Sequence, residues 1–127
     1  MSVKKIAPTF TDARGSIYDI LEDTPVGHIG MITSKKGFIR GKHYHKQSTQ
    51  YTFVVNGRLE FLTRNMRDSH AKSERVILER GDLVETPPLV AHAMRFLEDS
   101  TLLDFTTKSR TADGYENDTV RVEMEGL

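Results

Sequence analysis

Short β-rich runs recur between residues 17 and 106 of this 127-residue sequence and constrain its fold more than any other feature. Turn-forming residues separate most of the runs, whereas no stretch carries the i, i+3, i+4, i+7 apolar pattern of an amphipathic helix over three turns. About nine short strands in a chain of this size predict an all-β sandwich or barrel. The predicted strands are 17–21, 28–33, 38–44, 50–55, 58–63, 75–78, 83–86, 93–97 and 102–106.

The clearest pair of runs is 50–55 and 58–63, joined by Asn56-Gly57. This dipeptide favours a type I′ turn, so the sequence predicts a β-hairpin here. Strand alternation divides the first run into two faces. The face predicted to line a cavity holds Gln50, Thr52 and Val54, and the face predicted to form an outer layer or a subunit interface holds Tyr51, Phe53 and Val55.

Length and composition predict a single domain over residues 1–127, since 37 % hydrophobic residues supply one packed core. Lys plus Arg and Asp plus Glu balance at 18 each, so no net charge favours nucleic acid or an anionic membrane surface. The absence of cysteine excludes disulfides and thiolate chemistry. No apolar stretch has the length of a signal peptide core or a membrane span, so we expect a cytoplasmic protein.

Four polar residues are spaced as a candidate site around the predicted hairpin. His43 and His45 share one face if they lie on a strand, and Gln50 joins that face only if residues 46–49 form a turn. His92 follows Pro87-Pro88, whose fixed φ angles stiffen the approach to it. The two patterns are Gly37-x5-His43-x-His45-x4-Gln50-x6-Gly57 and Gly81-x5-Pro87-x4-His92.

These two patterns, within residues 37–57 and 81–96, resemble the two motifs of the cupin superfamily. The first is similar to G-x5-H-x-H-x3,4-E-x6-G, with Gln50 in place of glutamate. The second is similar to G-x5-P-x-G-x2-H-x3-N, with Leu89 for glycine and Phe96 for asparagine. The resemblance implies a single-domain cupin β-barrel, also called a double-stranded β-helix or jelly roll.

A narrower resemblance joins the run Arg40-Gly41-Lys42-His43-Tyr44-His45-Lys46-x3-Gln50 to the RG-x-H-x-HK-x3-Q signature of nucleotide-sugar 3,4-ketoisomerases. The RG-x-H-Y segment of dTDP-4-keto-sugar 3,5-epimerases is similar too. Near the ends, Phe10-x-Asp12-x-Arg14-Gly15 is similar to the F-x-D-x-RG of these families, and Tyr115-x2-Asp118-x2-Arg121 to the ketoisomerases' Y-x3-D-Y-I-R. Ala91 departs from the tryptophan usual before the second-motif histidine.

This resemblance implies a homodimeric isomerase or epimerase of polysaccharide biosynthesis that acts, without a metal, on a 4-keto-hexose linked to a nucleotide. His43 is then the base that removes a proton next to the ketone, and His45 the proton donor or shuttle. Gln50 and His92 contact the substrate. Arg14 and Arg40 are candidates for the pyrophosphate, because guanidinium donates bidentate hydrogen bonds to phosphate oxygens.

Two other functions stay open. In a metal-binding cupin, His43, His45, Gln50 and His92 would hold a divalent transition metal such as Zn, Fe, Mn, Ni or Cu, although neutral Gln50 lowers the expected affinity. In a non-catalytic module, the same cavity would bind a sugar without turnover, since one fold supports many functions.

Two segments lie outside the predicted strands. Residues 65–74 are polar and predict an exposed loop that carries His70. The tail, 108–127, alternates charges with few large apolar residues, so it either crosses the outer surface or pairs with a partner chain.

Overall fold

The computed structural model describes residues 2–111 and 113–127, and these residues form antiparallel strands with one short helix. None of them belongs to a helix with the length and apolar character needed to span a bilayer. The elements in chain order are β1 (Ser2–Lys5), β2 (Phe10–Asp12), β3 (Gly15–Ile17), β4 (His28–Ser34), β5 (Ile39–His45), β6 (Gln50–Asn56), β7 (Arg58–Asn65), β8 (Glu74–Glu79), β9 (Asp82–Thr86), β10 (Val90–Phe96), β11 (Ser100–Thr106), α1 (Gly114–Asp118) and β12 (Thr119–Arg121).

Two five-stranded sheets pack against each other. The first sheet has the order β1-β9-β6-β11-β4 and the second has the order β12-β5-β10-β7-β8, while β2 and β3 form a separate hairpin. The core between them joins Val54 and Leu102 of the first sheet to Phe61 and Phe96 of the second. Apart from β7 and β8, neighbouring strands of the two sheets are distant in sequence, as in a jelly roll, and the predicted all-β cupin fold is confirmed.

The predicted hairpin at 50–63 is wrong. β6 pairs with β9 and β11, whereas β7 pairs with β8 and β10, so the chain passes from one sheet to the other at Asn56-Gly57. Only Gly57 of this dipeptide has a positive φ, +103°, whereas a type I′ turn needs two such residues. Ser100 packs where a Gly57 side chain would lie, which makes glycine necessary at this corner.

The predicted strand at 17–21 is also wrong beyond Ile17. Residues 15–17 pair with 10–12, and the following segment leaves the sheet. There Ile20 and Leu21 pack on the outer cluster of the first sheet instead of pairing. An apolar run can therefore be buried by side-chain packing alone, without the ladder that alternation suggests.

The predicted faces of β6 are observed. Gln50, Thr52 and Val54 are buried on the inner face, and Tyr51 and Phe53 belong to an outer cluster with Ile6, Leu83 and Phe105. Ile6, Ile20 and Leu21 of the N-terminal segment pack on this outer cluster within the same chain. The loop between β7 and β8 is largely exposed, as predicted, and it carries His70.

The C-terminal tail packs on its own chain. β12 pairs with β5 at the edge of the second sheet, and Met124 is buried against Leu62, Ala91 and Ala93 on the outer side of that sheet. Within the single chain, this part of the tail thus lies on the outer side of the second sheet. Its pairing with β5 was not predicted.

Candidate functional site

Three histidines meet on the inner face of the second sheet. His43 and His92 are direct partners in the β5–β10 ladder, and their ring centroids lie 4.7 Å apart. The His45 ring lies 5.1 Å from His43 and 5.7 Å from His92. One ring nitrogen of each histidine lies within 4.8 Å of the others. The sequence spacing thus produces a compact imidazole cluster.

A bulge in β5 places Arg40 on the same face as His43. Arg40 is opposite Met94 and His43 is opposite His92, so three steps along β5 match only two along β10. Gly41 has a φ of +91° and Lys42 of +62° at this point. In a regular strand, residues three apart would face opposite sides. The bulge therefore brings a guanidinium and an imidazole to one cavity.

The turn at residues 46–49 brings Gln50 to the histidines. Asp118 holds this turn, because its carboxylate oxygens accept hydrogen bonds from the backbone N–H of Gln47 at 2.7 Å and of Ser48 at 3.2 Å. His45 Nε2 lies 2.8 Å from Gln50 Oε1. As a carbonyl oxygen only accepts, His45 carries its proton on Nε2, and its Nδ1 accepts from the Thr119 hydroxyl at 3.3 Å.

The cavity beside this cluster has a volume of about 460 Å³ and opens between the two sheets. His43, His92 and Arg40 line it from the second sheet, and Gln50 and Asp104 line it from the first. His45 lies behind these residues, in hydrogen-bond contact with Gln50. Of the two predicted catalytic histidines, His43 is therefore the one that a ligand in the cavity would contact.

The C-terminal tail supplies side chains that the strand pattern did not predict. Arg110, Tyr115 and Arg121 line the same cavity. The Arg110 guanidinium stacks 3.9 Å above the centre of the Tyr115 ring, and Arg121 pairs with Glu116 at 3.3 Å. The similarity of this segment to the ketoisomerases' Y-x3-D-Y-I-R was the one signal in the sequence that pointed to it.

Burial keeps the three imidazoles neutral near pH 7. Desolvation, aided by the charges of His45, Arg121 and Arg110, lowers the pKa of His43 to about 4. Desolvation also lowers the pKa of His45 and of fully buried His92, although Gln50 and Asp118 oppose the shift at His45. A neutral imidazole is the form that accepts a proton or binds a metal.

Arg14 lies outside the cavity. It is on the exposed β2–β3 hairpin, where its guanidinium pairs with Asp12. Arg40 is on the cavity wall, with its Nη2 donating to the Thr33 carbonyl at 3.0 Å. Within one chain, the guanidinium groups near the histidines are thus those of Arg40, Arg110 and Arg121.

The histidine cluster fits a divalent transition metal in its donor chemistry. Three neutral imidazoles and the Gln50 carbonyl are ligands of the type that zinc, iron, nickel or copper accept. Among the described residues, none forms a hydrogen bond of good geometry with either ring nitrogen of His92. Binding through His45 Nε2 would require loss of its hydrogen bond to Gln50. Gln50 also brings no negative charge to offset the ion.

Comparison with known proteins identifies the family of this chain. The family described as "Polysaccharide biosynthesis C-terminal domain" matches residues 10–120. The UDP-2-acetamido-2,6-β-L-arabino-hexul-4-ose reductase of Pseudomonas aeruginosa is 29 % identical over 85 residues, which are 67 % of this chain and 23 % of the reductase. The chain thus spans about a quarter of the length of this curated relative.

Solved structures of similar fold include a 3,4-ketoisomerase from Helicobacter canadensis, 23 % identical with a TM-score of 0.79 over 94 % of this chain and 89 % of that chain. A 3′-monoepimerase from Streptomyces bikiniensis, in complex with dTDP-quinovose, is 18 % identical with a TM-score of 0.81 over 95 % and 68 % of the two chains. A dTDP-4-dehydrorhamnose 3,5-epimerase from Sulfolobus tokodaii is 24 % identical, with a TM-score of 0.76 over 90 % and 72 %. The chain therefore belongs to the polysaccharide biosynthesis C-terminal domain family and has the RmlC-like cupin fold.

Proposed function

We propose that this protein is an isomerase or epimerase that moves protons on a 4-keto-hexose linked to a nucleoside diphosphate. The observation that carries the proposal is a neutral, desolvated His43 on the wall of a cavity that arginines also line. The similarity of the fold to sugar ketoisomerases and epimerases supports the same class of substrate.

His43 acts as the base in this proposal. Its neutral imidazole takes the proton from the carbon next to the ketone, which leaves an enediolate anion that becomes an enediol when its oxygen is protonated, and the imidazolium then returns a proton to a ring carbon. The Tyr115 ring, 6.4 Å from the His43 ring, places a phenol on the same cavity to exchange a proton with the enediol oxygens. His45 orients Gln50 from behind through their 2.8 Å hydrogen bond.

The diphosphate binds in this proposal to arginines on the cavity wall. Arg40 and Arg110 each carry a guanidinium that can donate two parallel hydrogen bonds to phosphate oxygens, and Arg121 is a third cation beside them. Arg14 does not line the cavity of its own chain, because it lies on the exposed hairpin, where its guanidinium pairs with Asp12.

Solvent-deuterium exchange tests this function. Wild-type protein is expected to incorporate deuterium into dTDP-4-keto-6-deoxyglucose or its UDP-linked 2-acetamido counterpart, as followed by NMR. His43→Ala is expected to lower the rate about 100-fold or more, whereas His70→Ala, on the exposed loop, is expected to exchange as wild type. Absence of exchange by wild-type protein on both substrates would refute the enzymatic proposal, and binding without exchange would favour a sugar-binding module.

A metal-binding cupin with another activity is the second candidate, favoured by the three imidazole nitrogens within 4.8 Å of one another. In it, His43, His45 and His92 would hold the ion, with Gln50 as a fourth ligand, and the ion would polarise a bound oxygen. Elemental analysis of protein purified without added metal separates the two candidates. Near-stoichiometric metal that disappears in His92→Ala favours this one, and deuterium exchange by metal-free protein favours the first.

We further propose a homodimer that pairs through the outer face of the first sheet. Ile29 and Met31 on β4 are 63 % and 71 % exposed there, and Val55 lies on the outer face of the same sheet. Apolar side chains at this exposure mark an interaction surface when they are contiguous. Sedimentation of wild-type protein and of Met31→Glu at equal concentration tests the pairing, since a charge at the interface should give monomers.

A further inference from the structure

Asp104 is a buried carboxylate that the proposed chemistry leaves without a role. It lies on β11 of the first sheet, where the flanking inner positions are Leu102 and Thr106, and it is only 4 % exposed. An inner strand position of this kind normally holds an apolar residue, because a buried charge is costly unless it is paired and hydrogen-bonded. Burial raises the pKa of Asp104 to about 6, although Arg110 opposes the shift.

One oxygen of this carboxylate has no hydrogen-bond partner in the part of the chain that the structure describes. Arg110 Nη1 lies 4.0 Å from Asp104 Oδ2, a distance at which charges attract but no hydrogen bond forms. Among residues 2–111 and 113–127, none donates a hydrogen bond to Oδ1, which is buried. Unsatisfied buried acceptors are rare in folded proteins and call for an explanation.

The position of Asp104 supplies that explanation. The residue lines the same cavity as His43 and His92 but projects from the opposite sheet. A sugar ring held between the sheets would present one side to the imidazoles and the other to this carboxylate. Hydroxyl and amide N–H groups on the ring are donors from which the Asp104 carboxylate can accept a hydrogen bond.

We propose that Asp104 is a substrate-binding residue that accepts a hydrogen bond from a hydroxyl or amide N–H of the sugar ring, on the side opposite the histidines. The inference rests on the proposed function and adds a determinant of substrate specificity to it. The site favours sugars with a donor on this side, because a sugar without one leaves the buried carboxylate unpaired. The nucleoside diphosphate gains nothing from Asp104, since a carboxylate repels phosphate.

Calorimetric binding of matched ligand pairs at pH 7.5 tests this role. The probes are dTDP-quinovose with dTDP, and UDP-N-acetylglucosamine with UDP. Asp104→Asn, which replaces one acceptor oxygen by a donor, is expected to weaken binding of the sugar nucleotide about 10-fold or more and of the free diphosphate less than 2-fold. Asp104→Ser gives a second test if the asparagine variant does not fold. The matched control Asp19→Asn makes the same change at an exposed position.

The outcomes separate this inference from the proposed function. If wild-type protein binds neither sugar nucleotide, the proposed function fails and this inference fails with it. If wild-type protein binds but Asp104→Asn binds equally well, only the role of Asp104 is overturned. If the variant loses sugar nucleotide and free diphosphate in parallel, Asp104 acts by holding Arg110 and the inference is likewise overturned.

Discussion

Gln50 is the residue at which the two candidate functions diverge. Its amide oxygen accepts from His45 at 2.8 Å, and its amide nitrogen lies 3.5 Å from the Thr52 hydroxyl oxygen. This arrangement suits a neutral cavity wall that positions imidazoles and substrate. A metal centre would gain from a carboxylate at the same place, because its charge offsets that of the ion.

Replacing Gln50 with glutamate should therefore strengthen metal binding. We expect Gln50→Glu to raise the affinity for Zn²⁺ about 10-fold or more, which corresponds to roughly 1.4 kcal/mol of binding free energy. Competition with a chromophoric chelator measures the change. Gln47→Glu makes the same substitution on the exposed part of the adjacent turn and should leave the affinity unchanged. Equal affinities of wild type and Gln50→Glu would show that residue 50 is not a ligand.

Only the His43–His45 part of the histidine cluster could be predicted from local sequence, whereas His92 was predicted from the resemblance to the second cupin motif. His43 and His45 are two residues apart on one strand, and their shared face follows from the pleat alone. Asp104 could not be predicted in this way. Its side chain joins the cavity only through the pairing of β11 with β6 and β4, partners that lie about 50 and 70 residues earlier in the chain.

At the scale of elements, the bulge in β5 aligns the site. A Cβ at Gly41 would lie 2.9 Å from the His92 carbonyl oxygen and 3.1 Å from Ala93 Cα, so the bulge packs directly against the strand that carries His92. Gly37 has the same φ of +91°, but no atom lies within 4 Å of its Cβ position. Both glycines therefore need a positive φ, but only Gly41 lacks the space for a side chain.

This difference predicts unequal effects of alanine. Gly37→Ala should lower the free energy of unfolding by about 1–2 kcal/mol, the cost of a positive φ in a residue with a side chain. Gly41→Ala should cost at least about 1 kcal/mol more, because the backbone of β10 must also shift. Urea denaturation measures both variants. If the two lose the same stability, then the close approach of β5 to β10 does not constrain the bulge.

The corner at Asn56-Gly57 shows why the pairing of strands was harder to predict than their positions in the sequence. Both flanking strands were located to within two residues, yet their partners were wrong. Turn chemistry and alternation describe only local preference, and they are the same for a hairpin as for a strand that changes sheets. In the folded chain, β6 instead lies between β11 and β9, and β7 between β10 and β8.

At the scale of the whole molecule, the cavity depends on segments far apart in the chain. The sheets supply its walls, and the tail adds Arg110, Tyr115 and Arg121. Asp118 of this tail accepts hydrogen bonds from the turn before Gln50, so the tail and this turn hold each other in place beside the cavity. Burial opposes ionisation of its carboxyl, but the hydrogen bonds from Ser48 and Gln47 prevail and lower the pKa of Asp118.

The buried titratable groups predict how stability changes with pH. Desolvation lowers the pKa of His43 to about 4 and lowers that of His45 and His92, so between about pH 4 and 6.5 the unfolded chain binds more protons than the folded one. Stability from these histidines is therefore present at pH 7 and is lost as the pH falls. Asp104 acts in the opposite direction, because its pKa is raised to about 6 and its contribution is lost as the pH rises through that value.

Because three histidines lose their contribution as the pH falls and only Asp104 gains one, the folded state should be less stable in acid. After allowance for solvent screening, we expect the free energy of unfolding to fall by about 2 kcal/mol between pH 7 and pH 5, measured by urea denaturation. Asp104→Asn should make this fall steeper, since it removes the opposing group, and His92→Gln should make it shallower. A wild-type stability that is constant over this range would mean that the imidazoles are not held neutral by burial. A fall that is unaltered in Asp104→Asn would mean that this carboxyl does not titrate in the cavity as its burial requires.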